Sequence, residues 1–336
     1  MELVLTEYGA KLGKRGECLV VKRSNQADIE LVAEDVATVT VISRGIGISS
    51  DAVELLIQSG GSMAFLKPSG EPYAEVVSPL ANGRTALRRA QLRAYDNHRG
   101  VLVIRCILRG KLRNQGVNLR YFAKARKKCA PDVYSELRAR AARIDAISES
   151  LSEIQNLTIE EARTTLMNRE GRAAYVYWQG LAQILPPSVE FPGRVRKGAS
   201  DPFNACLNYA YGMLYPRVWG ALTSAGLDPY AGFLHADRPN QPSMAFDVIE
   251  LFRAWFVDRP VAALFTKQWR PEFDGAGVLA PASRRRLAER VLERMEERVD
   301  YRGRQTRASD IIVAEVRQVA RAIECGEGWE PYVAEW

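Results

Sequence analysis

The pattern of apolar residues changes near Pro79, and this limits the fold more than any other feature of the sequence. Before it, short runs rich in Val, Ile, Leu and Tyr lie between turns of Gly, Asn and Asp: Leu3 to Leu5, Cys18 to Lys22, Ile29 to Val32, Val36 to Ile42, Ser62 to Leu66 and Tyr73 to Val77. Runs of this kind read as β-strands. Ser50 to Ile57 breaks the pattern, because Asp51 with Glu54 three residues later is a helix-start signal followed by apolar residues at helical spacing. After Pro79 and a bend expected at Asn82-Gly83, apolar residues recur every three to four positions. Helices are expected over about 84 to 97, 99 to 112, 115 to 129, 132 to 150, 158 to 184, 202 to 225, 242 to 257, 280 to 298 and 307 to 324. Thr158 with Glu161 forms a capping box, and Asp201 followed by Pro202 gives an N-cap with a first-turn proline. The fold class is therefore α+β: a small, mainly β N-terminal domain with one short helix over 1–78, a linker over 79–90, and a larger all-α domain over 91–336.

At 336 residues the chain exceeds a typical single domain of roughly 100 to 200 residues, which agrees with two domains. Its 47% hydrophobic and 26% charged composition is that of a soluble globular protein. With no signal-like or membrane-spanning run of apolar residues, a cytoplasmic location is expected. The cysteines, Cys18, Cys106, Cys129, Cys206 and Cys325, are too scattered for a CxxC metal site or a dense disulfide framework, and are expected to be reduced, mostly buried thiols. A net charge of +7 is compatible with a polyanionic partner.

Several polar residues conflict with their surroundings. Stepping by three and four along the helix after Thr158 gives Leu166, Met167, Glu170, Ala173, Ala174, Tyr177, Trp178 and Leu181, an apolar stripe interrupted by one carboxylate. An inward-facing Glu170 calls for an arginine, a hydrogen-bond network or a metal opposite it, and on spacing alone a structural ion pair is favoured. Further along, GFLHADRPNQPSMAFDVIELF places His235, one of two histidines, ahead of Asp247 and Glu250. Those two acids share one helical surface, and their spacing alone favours a solvated polar face. A lone histidine in a proline-interrupted turn is more often structural than a ligand. Combined with carboxylates from separate helices, however, its imidazole would suit Mn²⁺ or Mg²⁺.

Five basic clusters fall in the helical part: Lys111 with Arg113; Lys124, Arg126, Lys127 and Lys128; Arg194, Arg196 and Lys197; Arg284 to Arg286; and Arg302, Arg304 and Arg307. Each alone is compatible with a solvated surface, but together they favour a track for a phosphate backbone. Tyr175, Tyr177, Trp178 and Trp219 could stack on bases, although aromatic residues in helical stripes usually belong to the core.

Several separated segments, in order, resemble the CRISPR-associated spacer-acquisition integrase, the universal first Cas protein, also described as a metal-dependent DNA endonuclease. They are GIGISSDAVELLIQSGGSMAFLKPSGEP, RRAQLRAY, LRGKLRNQGVNLRYFAK, NREGRAAYVYW, SDPFNACLNYAYGMLY, AGLDPYAGFLH and FDVIELFRAWFVDRPV, and the likeness runs from about residue 1 to 325. It implies a β-sandwich-like N-terminal domain joined to an α-helical catalytic domain, and a homodimer acting with the small second adaptation protein. The implied activity joins 3′-hydroxyl ends of a short double-stranded DNA fragment to the CRISPR repeat by metal-assisted transesterification. The resemblance makes Glu170, His235 and Glu250 the ligands of Mg²⁺ or Mn²⁺, with Asp247 a further catalytic acid beside them. Where the family often has a Gly-Arg pair, this chain has Pro239-Asn240-Gln241-Pro242, and Arg238 is the substitute for holding phosphate. Lys111, Arg113, Arg194, Arg196 and Lys197 are the other candidates for DNA-backbone contact. A nuclease acting on branched DNA and a non-catalytic DNA-binding scaffold are the alternative readings.

Overall fold

The computed structural model describes residues 1–24, 26–78, 84–196, 198–236, 238–239, 241–275 and 277–335. The bend expected at Asn82-Gly83 and the candidate Lys197 lie outside the described residues, as does Asn240 of the proline-rich turn.

Among the described residues the N-terminal part holds eight strands: β1 (Glu2–Leu5), β2 (Lys11–Arg15), β3 (Cys18–Lys22), β4 (Ile29–Val32), β5 (Thr38–Val41), β6 (Gly47–Ile48), β7 (Ser62–Leu66) and β8 (Pro72–Val76), with helix α1 (Ser50–Gln58) between β6 and β7. They form two four-stranded sheets, ordered β1-β5-β7-β8 and β4-β3-β2-β6. Leu12, Leu19 and Val21 from one sheet, Val39, Val41 and Met63 from the other, and Leu55 and Leu56 from α1 share a buried core. This is the expected sandwich-like arrangement. Strand β2 was not legible as a strand because Lys11, Lys14 and Arg15 dilute its pattern. It is held by its antiparallel pairing with β3, Lys11 opposite Lys22 and Arg15 opposite Cys18. The cap of α1 is also corrected: Ser49, not Asp51, accepts the Ala52 N–H, at 3.2 Å, and Asp51 lies in the first turn.

The remainder is mostly helical, with α2 (Thr85–Ala94), α3 (His98–Lys124), α4 (Pro131–Ser150), α5 (Ile159–Ala182), α6 (Pro202–Ala225), α7 (Ser243–Arg253), α8 (Arg259–Thr266), α9 (Pro281–Glu296) and α10 (Ala308–Cys325). The Thr158–Glu161 capping box and the Asp201 cap are both present. The two helices expected over 99 to 112 and 115 to 129 are one continuous helix, α3. In its polar middle the buried Asn114 and Asn118 find distant partners: Asn114 donates to the Tyr332 carbonyl at 2.9 Å and accepts from Ala334 N–H at 2.9 Å, while Asn118 donates to the Ala254 carbonyl at 2.6 Å. A polar side chain inside a helix is stable when the partners come from elsewhere in the chain.

Helix α8 lies beyond the expected helix over 242 to 257, and Pro260 occupies its first turn, where proline is tolerated. It follows α7 through a π-helical turn, Ala254–Asp258, a feature common at functional sites. An unforeseen hairpin, β9 (Arg298–Tyr301) with β10 (Arg304–Arg307), turns through Arg302 and Gly303, both with positive φ. Arg-Gly is not among the usual sequence signals of such a turn.

Helix α6 locks the helical body to the first sheet. Arg217 reaches Glu2 at 3.2 Å, and Glu2 also accepts from Thr40 Oγ1 at 2.7 Å. Gly212 faces Gly70 so closely that a Cβ there would overlap the Gly70 carbonyl. The backbone contact fixes the face of α6 that carries Tyr211 into the cleft described next. All five cysteines are free thiols, but only Cys106 and Cys206 are buried, against the expectation that most would be; Cys129 and Cys325 are exposed near helix ends. Among the described residues no helix is long and apolar enough to cross a membrane.

Candidate functional site

The site is built where α3, α5 and α7 meet. Glu170 on α5 is partly exposed at the edge of a cleft of about 460 Å³, and Glu250 on α7 is buried in its wall. Between the two carboxylates stands Lys111 of α3: its ammonium donates to Glu170 Oε1 and lies 2.7 Å from Glu250 Oε2. Arg253, one turn on from Glu250, donates to the other oxygen, Oε1. Burial by itself would raise the Glu250 carboxyl, but Arg253 and Lys111, with a contribution from His235, hold it well below the usual carboxylate range. Burial would likewise lower Lys111, but Glu250 and Glu170 outweigh it and keep its ammonium charged. Lys111 as a residue is only 7% exposed, so the structure places this DNA-contact candidate between two acids in the cleft wall rather than on an open surface.

The expectation of a solvated face on α7 is also overturned, since Asp247 and Glu250 are both buried. Asp247 accepts three consecutive backbone N–H groups, from Phe233 at 2.7 Å and from Leu234 and His235 at 3.0 Å each. It also holds His235 Nδ1 at 2.6 Å. One carboxylate thus shapes the whole Phe233-Leu234-His235 turn and fixes the imidazole, whose far nitrogen, Nε2, is the one left to serve as a ligand. Phe246 packs its ring 6.0 Å from that of His235 and supports the same orientation.

A further acid, Asp258, escaped the sequence reading. At the end of the π turn, it lines the cleft while accepting from Tyr177 Oη at 3.0 Å and from Tyr211 Oη. Tyr211 in turn carries the guanidinium groups of Arg194 and Arg253 over its ring, at 5.1 and 4.8 Å from the centroid. The signal was a single acid closing the apolar run Ala254-Trp255-Phe256-Val257. Burial raises the Asp258 carboxyl to about 6, against the opposing hydrogen bonds of Tyr211 and Tyr177. A raised carboxyl adds stability that is complete below its ordinary value of 3.8 and disappears as pH rises through about 6. The stability of the parent protein relative to Asp258→Asn should therefore fall by up to about 3 kcal/mol between pH 4 and pH 7. Urea titrations across that range check this; a constant difference between the two proteins would contradict it.

The remaining candidates are distributed around the cleft. Arg194 lines it, held at 2.9 Å by Asn204 Oδ1 and at 2.6 Å by Asn208 Oδ1. The exposed Arg196 lines both this cleft and an adjoining trough of about 1370 Å³, which runs between the β7–β8 turn and the helical body. Arg238 is exposed on the wall of that trough. Arg113 points elsewhere and pairs with Glu330. Of the aromatics, Tyr177 is core, whereas Tyr175 is 64% exposed and lines the cleft with Trp178.

Among the described residues no three His, Cys, Asp or Glu side chains lie close enough to grip one ion. In donor chemistry, two carboxylates and an imidazole are of the kind a divalent cation takes. Two carboxylates from different helices already converge on one positive charge, and an imidazole backed by a buried carboxylate through Nδ1 is the usual support for a metal-ligating histidine.

Fold and site together define an α+β protein whose helical body opens an arginine-lined cleft around converging acids. The sequence profile of the family described as "CRISPR associated protein Cas1" matches residues 3–293. A relative named CRISPR-associated endonuclease Cas1 1, from Archaeoglobus fulgidus, is 35% identical over 347 residues, covering 100% of both chains. CRISPR-associated endonuclease Cas1 of Korarchaeum cryptofilum is 30% identical over 98% of this chain and 97% of its own. Among solved structures, a casposase bound to integration product superposes with a TM-score of 0.79 at 20% identity, covering 97% of this chain and 91% of that one. A CAS1 protein from Thermotoga maritima does so with a TM-score of 0.72 at 18% identity, covering 98% and 99%. The chain belongs to the Cas1 family of CRISPR-associated proteins.

Proposed function

We propose that this chain is a divalent-metal-dependent DNA integrase of CRISPR spacer acquisition, inserting short DNA fragments by attack of their 3′-hydroxyl ends on a phosphodiester of the repeat. The observation that carries the proposal is the convergence of Glu170 and Glu250 on one cation position in an arginine-lined cleft. The relatives named as endonucleases support chemistry on phosphodiesters, and the casposase neighbour, named with its integration product, supports joining.

Glu170, Glu250 and His235 Nε2 would hold Mg²⁺ or Mn²⁺. Bound there, a divalent ion would neutralise charge developing on the phosphate and stabilise the attacking or leaving 3′-oxygen. The chain's own residues do the positioning. Asp247 fixes the imidazole, Arg253 steadies Glu250, and Arg194 and Arg253 on the Tyr211 ring present positive charge to the cleft. One phosphodiester is exchanged for another, so no high-energy cofactor is needed and alignment supplies much of the rate. Arg196 and Arg238 extend the positive lining along the trough, where they would contact the DNA backbone.

Neighbours named as Cas6-RT-Cas1–Cas2 complexes and a TtCas1–DNA complex support DNA and the small second adaptation protein as partners, and we take that DNA to be double-stranded. We take the working form to be a cytoplasmic homodimer within that larger assembly. The test supplies a labelled 3′-hydroxyl DNA fragment and a repeat-containing duplex, with Mn²⁺, with and without the second adaptation protein. Joined product is expected. Cleavage without joining would instead favour a branched-DNA nuclease, and binding without either product a scaffold.

A further inference from the structure

We infer that Lys111 is the internal counter-ion of the catalytic acids, holding Glu170 and Glu250 in place until a divalent ion displaces its ammonium. The inference rests on the metal reading above but concerns a residue that reading does not use.

Lys111 is buried on α3, a helix separate from those that carry the two acids. Its ammonium is bonded to both carboxylates at once, through Glu170 Oε1 and Glu250 Oε2. Glu250 has its other oxygen on Arg253, so the cluster of two acids and two bases is neutral. That neutrality explains how two carboxylates tolerate a shared, largely buried wall. A divalent ion gripping the same oxygens would stand beside the ammonium at contact distance, and charges of the same sign that close repel strongly in a poorly solvated site. The two cations therefore compete for one position. Lysine suits such a role because its charge sits on a flexible four-carbon stem, and the cleft that Lys111 lines gives the stem room to swing aside. Arginine would not, since its planar fork can grip a carboxylate through two hydrogen bonds.

A purely structural ion pair and a displaceable counter-ion differ in what metal does to them. Lys111→Met should melt at a lower temperature than the parent without metal, and Mn²⁺ should recover most of the loss. Calorimetric titration with MnCl₂ alone should give at least tenfold tighter binding to Lys111→Met than to the parent. Lys111→Arg should bind Mn²⁺ at least tenfold more weakly, and it carries the test if the methionine variant does not fold. Parental Mn²⁺ affinity in either folded variant would overturn the inference while leaving the metal site standing. Absence of Mn²⁺ binding from the parent and both variants would overturn the metal reading and the inference together. Binding by Lys111→Met alone would support the inference, with the ammonium outcompeting the ion.

Discussion

Glu170→Gln is expected to lower strand joining by about two to three orders of magnitude, the range seen when one electrostatic group is removed from a reacting centre. Its melting temperature should stay close to that of the parent. Glutamine keeps the shape and the hydrogen bond to Lys111 but removes the negative charge that a hard divalent cation requires. The stability cost is small because Glu170 is partly exposed and Lys111 retains Glu250 as its partner. His235→Ala should behave alike in joining, since the ring contributes its Nε2 at the site while the backbone turn remains held by Asp247. Parallel joining assays and thermal melts separate catalysis from structure. A Glu170→Gln protein that joins DNA at the parental rate, or that loses its stability along with its activity, would place Glu170 in a structural ion pair instead.

Asp247→Ala should have the larger effect on folding, about 3–5 kcal/mol of lost stability, together with loss of joining. The substitution strands two buried N–H groups, those of Phe233 and Leu234, and the partly buried N–H of His235, and frees the imidazole from Nδ1. An unsatisfied buried donor costs about 1–3 kcal/mol, and relaxation of the turn recovers part of the sum. Asp247→Asn should fall between parent and alanine, because its one carbonyl oxygen still accepts while its amide nitrogen faces donors. Urea unfolding decides the matter: an alanine variant within about 1 kcal/mol of the parent would mean that the turn is held by something other than this carboxylate.

The two variants also show where the sequence was informative. The strand-to-helix change near Pro79 was legible because period-2 and period-3.6 patterns seldom imitate each other, and the caps at Thr158 and Asp201 were legible because capping is local chemistry. What failed was long-range. The polar middle of α3 read as a break because its partners, Tyr332 and Ala334, lie at the far end of the chain. Asp247 and Glu250 read as solvated because a helix surface does not reveal what packs on it. The carboxylate partners of Lys111 were not legible because a basic residue next to Arg113 looks the same whether water or two carboxylates surround it. Glu170 showed itself by interrupting an apolar stripe, whereas its cation partner could be found only in three dimensions.

The central claim, that Glu170, Glu250 and His235 form one metal site, is tested most directly by anomalous diffraction from crystals soaked in Mn²⁺. The expected result is a single manganese peak bounded by the two carboxylates and His235 Nε2, with the Lys111 ammonium moved off both acids. A map without manganese at that position, and with Lys111 still bridging Glu170 and Glu250 at a concentration that supports strand joining, would contradict it.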